Sequence, residues 1–475
     1  MRRHVFSNDV NLPEMLVVNT RLLKLSGLFL IFSSFLYGQV DSAKTERTTI
    51  NGFTRAGFYG NYEHNDNPFI SSAFSDFGLK VETGDGLNYK AFADLRFRYG
   101  TEFFDQISSF EIREAYIKAN GRRWDITAGQ KILKWGRADF TNPTSRLTPK
   151  NLVFRSTDQE DMDLGNLLLS GRYYPSSGIT FEGVAIPFYR SSVLMIKPLS
   201  LPSYVKINQI DSLVTGPKMF SYGLKTDLHL SGIDMSFSWF DGYNPMPGTA
   251  LTGFNLDLSG PLPVPYTELS FTPYKIRNIG FDFETSMGNF GLRGEGAYTL
   301  PYKSYREYEY VPSREINWVA GFDWSSGNWR FTGEYSGKVI PGFTASSIAS
   351  FIGTDIDMAQ LTLLMGTPGF DLREYVRQEV SSFNRLYNYQ LKRSYHSAAF
   401  RVETDLLYSK LTASVFTLYN ITTRDLLVMP ELKYKPSDGV TISAGADYYS
   451  GRKGSLYDIV DDFMNCIRIG VRVDF

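Results

Sequence analysis

Residues 464–475, with the sequence MNCIRIGVRVDF, decide the fold class of this chain. Side chains of a β-strand alternate between its two faces. From Ile467 to Phe475 every second residue is apolar, and Arg468 and Arg472 are among the residues between them. The segment is therefore predicted to be a strand with one apolar and one charged face. Such a strand fits a soluble β-sandwich as well as a membrane β-barrel, and the rest of the chain has to distinguish the two.

The same two-residue period continues through most of the chain from Thr49 onward. Segments 87–99, 316–324, 329–338 and 440–448 all show it. Beyond the N-terminal region no segment is a continuous apolar run of about 18 residues, so no transmembrane helix is predicted. A membrane protein built from strands must be a closed barrel, because an open sheet edge leaves backbone groups unpaired in lipid.

The connections between the predicted strands alternate in length. Most of the short ones carry the Gly, Asn, Asp or Ser that tight turns favour, and they are 84–86, 120–122, 175–178, 231–232, 288–289, 326–328, 409–410 and 436–439. The others, most of them longer, are 63–71, 100–109, 133–164, 188–218, 243–274, 301–312, 340–393, 421–425 and 451–463. We therefore predict an all-β fold over residues 49–475. It is a transmembrane antiparallel β-barrel of about 18 strands (range about 16–18), with short periplasmic turns and long extracellular loops.

The N-terminal region is predicted to be a secretion signal. Leu25–Tyr37 is an apolar run preceded by basic residues. It is shorter than the roughly 20 residues of a membrane-spanning helix and has the length of a signal-peptide core, with a buried helix as the alternative. Cleavage after Gly38 would make residues 1–38 a signal peptide with an N-terminal extension, and residues 39–48 a short periplasmic segment. The expected location is the cell outer membrane. The two candidate start residues are Met1 and Met15.

The composition argues against several classes of protein. The formal net charge is −1, so the chain has no basic field for nucleic acid. One Cys in 475 residues excludes a disulfide framework and a Cys-based zinc site. The four His residues, at positions 4, 64, 229 and 396, show no metal-ligand spacing, and no Ser and acid partner can be assigned to them. We therefore expect no enzyme activity, no cofactor and no metal.

Charged residues of the strands are predicted to face the lumen, because an Arg or Lys on the lipid face at mid-bilayer costs about 2–4 kcal/mol. The candidates for lining the lumen are Lys90, Asp94, Arg96, Arg98, Arg330, Glu334, Lys338, Arg401, Glu403, Arg468 and Arg472. In one interpretation the cations form a ladder that selects anions. In the other, which the carboxylates in register with most of the arginines favour, they form a salt-bridged wall.

Two long connections are predicted to do more than join strands. Residues 133–164 are long enough to fold into the lumen and narrow it, and their charges are expected to face Arg96 and Arg98. In 340–393, apolar residues recur at helical spacing after Asp371, a predicted N-cap. This amphipathic helix is expected to cap the external mouth, or else to act as a lid or an inward-folded plug.

Two features resemble known proteins. Phe475, an aromatic residue in the apolar register, resembles the C-terminal signature by which Gram-negative outer-membrane barrels are recognised, and it is the predicted insertion signal. Segments 113–118 (REAYIK), 124–131 (WDITAGQK) and 134–137 (KWGR) resemble a Gram-negative outer-membrane β-barrel family of unassigned function, loosely similar to the phosphate-selective and alginate-export porins. Residues 148–151 (TPKN) depart from the Asn-Pro-x-Asp loop of that family. The resemblance implies an outer-membrane channel, sometimes linked with the export of hydrophobic molecules.

Together these observations predict a porin-like channel that passes small polar or amphipathic solutes with weak charge preference. The alternatives are a plugged structural or adhesive barrel and an export channel for hydrophobic molecules. The expected partners are outer-membrane lipids and lipopolysaccharide, the barrel-assembly machinery and a small solute that the sequence does not identify. Assembly into a homo-oligomer stays open.

Overall fold

The computed structural model consists almost entirely of β-strands. It describes residues 47–61, 70–85, 87–195, 205–208, 213–214, 219–257, 264–345 and 367–475, so the predicted signal peptide at 1–38 lies outside the described residues. The first strands are β1 (Arg47–Asn61), β2 (Ile70–Gly84), β3 (Tyr89–Glu102), β4 (Asp105–Asn120), β5 (Trp124–Lys131), β6 (Asn166–Ser176), β7 (Ile179–Ile186), β8 (Tyr189–Arg190), β9 (Val205–Asn208), β10 (Leu213–Val214), β11 (Ser221–Leu230) and β12 (Ile233–Tyr243). The others are β13 (Gly248–Asp257), β14 (Val264–Thr272), β15 (Lys275–Met287), β16 (Phe290–Pro301), β17 (Glu315–Ser326), β18 (Trp329–Val339), β19 (Ser394–Leu406), β20 (Leu411–Asn420), β21 (Asp425–Ser437), β22 (Val440–Ser450) and β23 (Cys466–Asp474). Helices α1 (Leu372–Tyr387) and α2 (Leu456–Met464) and the 3₁₀ turns Gln159–Met162 and Lys303–Tyr305 complete the described elements.

Eighteen of these strands form one closed antiparallel barrel. Each pairs with the next barrel strand along the chain, and β23 pairs back with β1 from Phe53↔Asp474 to Asn61↔Cys466. The remaining strands form two small sheets, β8 with β10 and β13–β14–β9. The predicted fold class, an antiparallel barrel of about 18 strands, is therefore confirmed. Among the residues that the structure describes, no helix is both long and apolar enough to cross a membrane.

The outward face of the barrel is apolar. In β23, Ile467, Ile469 and Val471 are exposed, whereas Cys466 and Arg468 are buried. Several exposed Tyr and Trp side chains lie toward the strand ends, where interfacial belts form in membrane barrels; they include Tyr99, Trp124, Tyr173, Trp324, Trp329, Tyr419, Tyr434 and Tyr448. The alternation read from the sequence therefore separates an outer apolar surface from an inner polar one.

The connection between β3 and β4 is much shorter than predicted. A long loop was predicted at 100–109, but both strands continue into it and pair up to Glu102↔Asp105. The turn consists of Phe103 and Phe104, whose φ angles are 48° and 67°. The left-handed conformation is uncommon for residues other than Gly and Asn, so the sequence carries no turn signal here.

The predicted connection 243–274 contains a hairpin of its own, β13–β14, which β9 joins in parallel. Helix α1 packs on this small sheet, and Val380 and Phe383 share a buried cluster with Leu269. The helix begins as predicted, because the Asp371 carboxylate accepts hydrogen bonds from the backbone N–H groups of residues 373 and 374 at 2.9 and 3.2 Å. The described part of the connection 340–393 is thus folded, with helix α1 on the three-stranded sheet β13–β14–β9.

Candidate solute pathway

The connection of residues 132–165, here called the lumen loop, runs inside the barrel. Trp135 is 1% exposed, and its indole N–H donates a hydrogen bond to Glu182 Oε2 at 3.1 Å. Around it is an apolar cluster of loop and wall residues that includes Leu133, Leu147, Leu168, Val184, Ile186, Phe240, Tyr274 and Ile276. The loop therefore folds inward, as predicted, and packs tightly against one side of the wall.

Two wall carboxylates hold the middle of the lumen loop. Glu295 accepts hydrogen bonds from the backbone N–H groups of Arg137 and Ala138, the latter at 2.6 Å. Glu334 accepts three, from residues 139, 140 and 141, at 3.1, 3.1 and 2.8 Å. Charge-assisted bonds to consecutive backbone groups fix the path of the chain as well as its position.

An ion-pair network on β1–β4 holds the second half of the lumen loop. Asp161 pairs with Arg55 at 2.7 Å and with Arg96 at 2.8 Å, and it accepts a hydrogen bond from Ser156 Oγ at 2.6 Å. Burial alone would raise the pKa of Asp161. The charges of Arg55 and Arg96, together with the hydrogen bonds from Ser156 and Arg55, outweigh burial and hold this pKa well below its ordinary value. The carboxylate is therefore ionised at neutral pH.

Four of the predicted lumen residues are buried against or beside the lumen loop: Asp94, Arg96, Arg98 and Glu334. Arg98 pairs with Asp76 and Glu102, both at 2.6 Å, and donates a hydrogen bond to the carbonyl of Arg155 at 3.0 Å. Asp94 lies 3.9 Å from both Lys80 and Arg113. These side chains face inward and are buried; those of Arg96, Arg98 and Glu334 contact the loop, whereas Asp94 pairs with residues of the wall.

Four other predicted residues line an open cavity of about 620 Å³: Arg401, Glu403, Arg468 and Arg472. The loop contributes Asp139 and residues 156–160 to the same cavity, so its lining carries both signs of charge. Arg468 pairs with Asp447 at 3.0 Å and with Glu431 at 2.7 Å. The charged cavity residues of β21, which are Glu431, Lys433 and Lys435, were not predicted from the sequence. Their two-residue spacing could have identified them.

A second cavity, of about 450 Å³, lies nearer the long-loop end of the barrel. Lys338 is the predicted residue that lines it, and its ammonium group is 2.8 Å from Glu315. Glu315 also accepts a hydrogen bond from Gln390 at 2.9 Å and pairs with Arg146 of the lumen loop at 3.5 Å. Five tyrosines border the cavity: Tyr274, Tyr387, Tyr389, Tyr395 and Tyr457. This cavity is thus more aromatic than the larger one.

The remaining predicted residues lie outside both cavities. Lys90 pairs with Glu82 at 2.7 Å, and Arg330 pairs with Glu403 and, at 3.1 Å, with Asp405. The ring of Phe475 stacks on the outward-facing Phe77, and its backbone N–H donates to Gly52. Within the described ranges, no group of three or more His, Cys, Asp or Glu residues is placed to hold a metal ion.

Comparison with solved structures shows the same fold. The crystal structures of the outer membrane protein opdK from Pseudomonas aeruginosa, of OccAB2 from Acinetobacter baumannii and of OccK9 (OpdG) from P. aeruginosa match with TM-scores of 0.52, 0.51 and 0.50. Each match covers 90% of this chain and 99%, 97% and 97% of the other chain, at 9%, 11% and 8% identity. No protein-family model and no curated protein matches the chain. The comparisons therefore show the barrel fold and do not support the resemblance to phosphate-selective and alginate-export porins.

Proposed function

We propose that this chain is a channel of the bacterial outer membrane that passes small polar or amphipathic solutes. The observation that carries the proposal is the pair of cavities, about 620 and 450 Å³, that the lumen loop leaves along the inner wall. An 18-stranded closed sheet is wide enough for an aqueous channel unless it is filled. Because the larger cavity is lined by both signs of charge, we expect weak preference between anions and cations.

The proposed location is supported by the apolar outward face and the aromatic residues at the strand ends, which suit a lipid bilayer. The similarity in fold to the outer membrane protein opdK agrees with it. We propose outer-membrane lipids, lipopolysaccharide and the barrel-assembly machinery as partners. Residues 1–38 stay a predicted signal peptide.

Single-channel recording and uptake of labelled solutes by proteoliposomes test this function. We expect a small conductance with a ratio of anion to cation permeability near unity. A variant without residues 137–160 serves as the control for insertion, because a barrel of this size without its loop must be open.

A plugged structural barrel is the second candidate, and the tight packing around Trp135 favours it. If the barrel is plugged, the wild-type protein shows no conductance while the loop-deleted variant conducts. That result would refute the channel function.

A further inference from the structure

Apolar side chains cross part of the inner wall in two adjacent rows. Backbone pairing joins the first row, which consists of Ala399, Leu418, Leu427 and Tyr449. The second row consists of Phe416 and Met429, which pair with each other and lie two residues nearer the short turns than Leu418 and Leu427. The inner face of a membrane barrel is usually polar, so an apolar patch on this face indicates that it has a function in the lumen.

Phe140 of the lumen loop closes against this patch. The centroid of its ring lies 4.9 Å from that of Phe416, and the guanidinium of Arg401 lies over both rings at 5.3 and 5.5 Å. The backbone N–H of Phe140 donates a hydrogen bond to Glu334 at 3.1 Å, and this bond holds the loop in place. We call Phe140, Phe416, Leu418, Leu427 and Met429 the apolar septum; all five belong to one cluster.

The septum lies between the two cavities. On the wall, Phe416 borders the larger cavity, while Leu418, the next inward residue of β20, borders the smaller one. On the loop, Asp139 borders the larger cavity and Thr141 the smaller one, with Phe140 between them. Strand and loop therefore change from one cavity to the other at the same height, and the Phe140–Phe416 contact lies at the boundary between the two cavities.

We infer that the septum makes the channel selective for amphipathic solutes with an aromatic or branched apolar body. A bare ion or a strongly hydrated solute loses water at an apolar constriction and gains no replacement for it. An apolar body replaces the contact between the two rings that it separates. The tyrosines of the smaller cavity offer stacking surfaces on one side, and Arg401 offers a polar contact on the other. This inference rests on the proposed channel function and names its substrate class.

Uptake of two zwitterionic amino acids by proteoliposomes tests the inference. Phenylalanine and glutamine share a head group that does not cross lipid readily, and they differ in the polarity of the side chain. We expect wild-type uptake of phenylalanine to be about tenfold faster, which corresponds to ~1.4 kcal/mol, near the lower end of the value for burying one aromatic side chain.

Three variants complete the test, each checked for insertion by heat-modifiable migration. Phe416→Ser should speed glutamine uptake, raise the potassium conductance and abolish the preference, whereas Phe416→Leu should keep it. Phe400→Ser makes the same change on the outward face of the neighbouring strand and should leave the uptake ratio unchanged.

Two results would overturn the inference, and they differ in what else they refute. Equal uptake of both amino acids by the wild type, with a ratio that Phe416→Ser does not move, would refute the septum and leave the channel function standing. Absence of both uptake and conductance in the wild type and in Phe416→Ser, while the loop-deleted barrel conducts, would refute the channel function itself.

Discussion

Replacing Asp161 with Asn removes the carboxylate that ties the second half of the lumen loop to the wall. Arg55 keeps a partner in this variant, because it also pairs with Asp76 at 2.5 Å. Arg96 forms an ion pair with Asp161 at 2.8 Å, and no second ion pair of Arg96 is found in the part of the chain that the structure describes. The substitution therefore leaves a guanidinium inside the barrel without its counter-charge.

The expected cost follows from burial. The side chains of Arg96 and Asp161 are 7% and 4% exposed, so solvent screens them little. Removing one partner of a buried ion pair typically costs about 3–5 kcal/mol, because the other charge stays buried. The loss falls on docking of the loop, since the backbone ladder of the barrel does not involve this side chain. At about 1.4 kcal/mol per decade, the ratio of docked to undocked loop falls by roughly two to four orders of magnitude.

Limited proteolysis within residues 150–164 and single-channel conductance measure the release of the loop. Asp161→Asn should make the segment cleavable and raise the conductance. Asp158→Asn is the matched control: it removes one charge from the same loop, the residue is exposed, and an Asn oxygen can still accept the hydrogen bond from the Glu160 N–H. If the two variants do not differ in protease sensitivity or conductance, Asp161 does not anchor the loop.

Further predictions concern insertion, selectivity and pH. Deleting Phe475 or replacing it with Lys should leave the chain in the periplasm, while Phe475→Tyr should insert; normal levels of the deletion variant in membrane fractions would contradict this. Replacing Arg96 and Arg98 together with Ser should raise the conductance and shift permeability toward cations, and an inserted barrel with unchanged values would be evidence against their role. The depressed pKa of Asp161 means that its anchoring is complete above the ordinary carboxyl pKa of about 4 and is lost only as pH falls through the lower folded value. The protease sensitivity of residues 150–164, the part of the loop that Asp161 anchors, should thus stay constant between about pH 8 and 5, and release of this segment near neutral pH would rule this anchoring out.

The wall of the barrel was predictable because lipid imposes one rule on every strand. An outward charge is costly at mid-bilayer, so apolar and charged residues must alternate along strands such as β3 and β23. Helix α1 was predictable for a similar local reason, since Asp371 caps an apolar stripe at helical spacing. The turn at Phe103 and Phe104 was not, because the surrounding barrel imposes a backbone conformation that these residues do not favour.

The interior was less predictable than the wall. In β20 both faces carry apolar residues, with Val415 and Tyr419 outward and Phe416 and Leu418 inward, so alternation cannot identify a septum. The inward register of Arg96 could be predicted, but its role as an anchor depends on the path of a loop that starts in another part of the chain. Such contacts depend on tertiary packing and leave no periodic signal in the sequence.

The seam between β1 and β23 has a consequence for assembly. The pairs from Phe53↔Asp474 to Asn61↔Cys466 join strands from opposite ends of the described chain. Until these two strands pair, the sheet keeps two unpaired edges, and each can recruit a foreign strand. A chain that lacks the nine residues of β23 cannot form this seam. Closure thus acts as a check on β23, because a sheet without it keeps edges whose backbone groups stay unpaired in lipid.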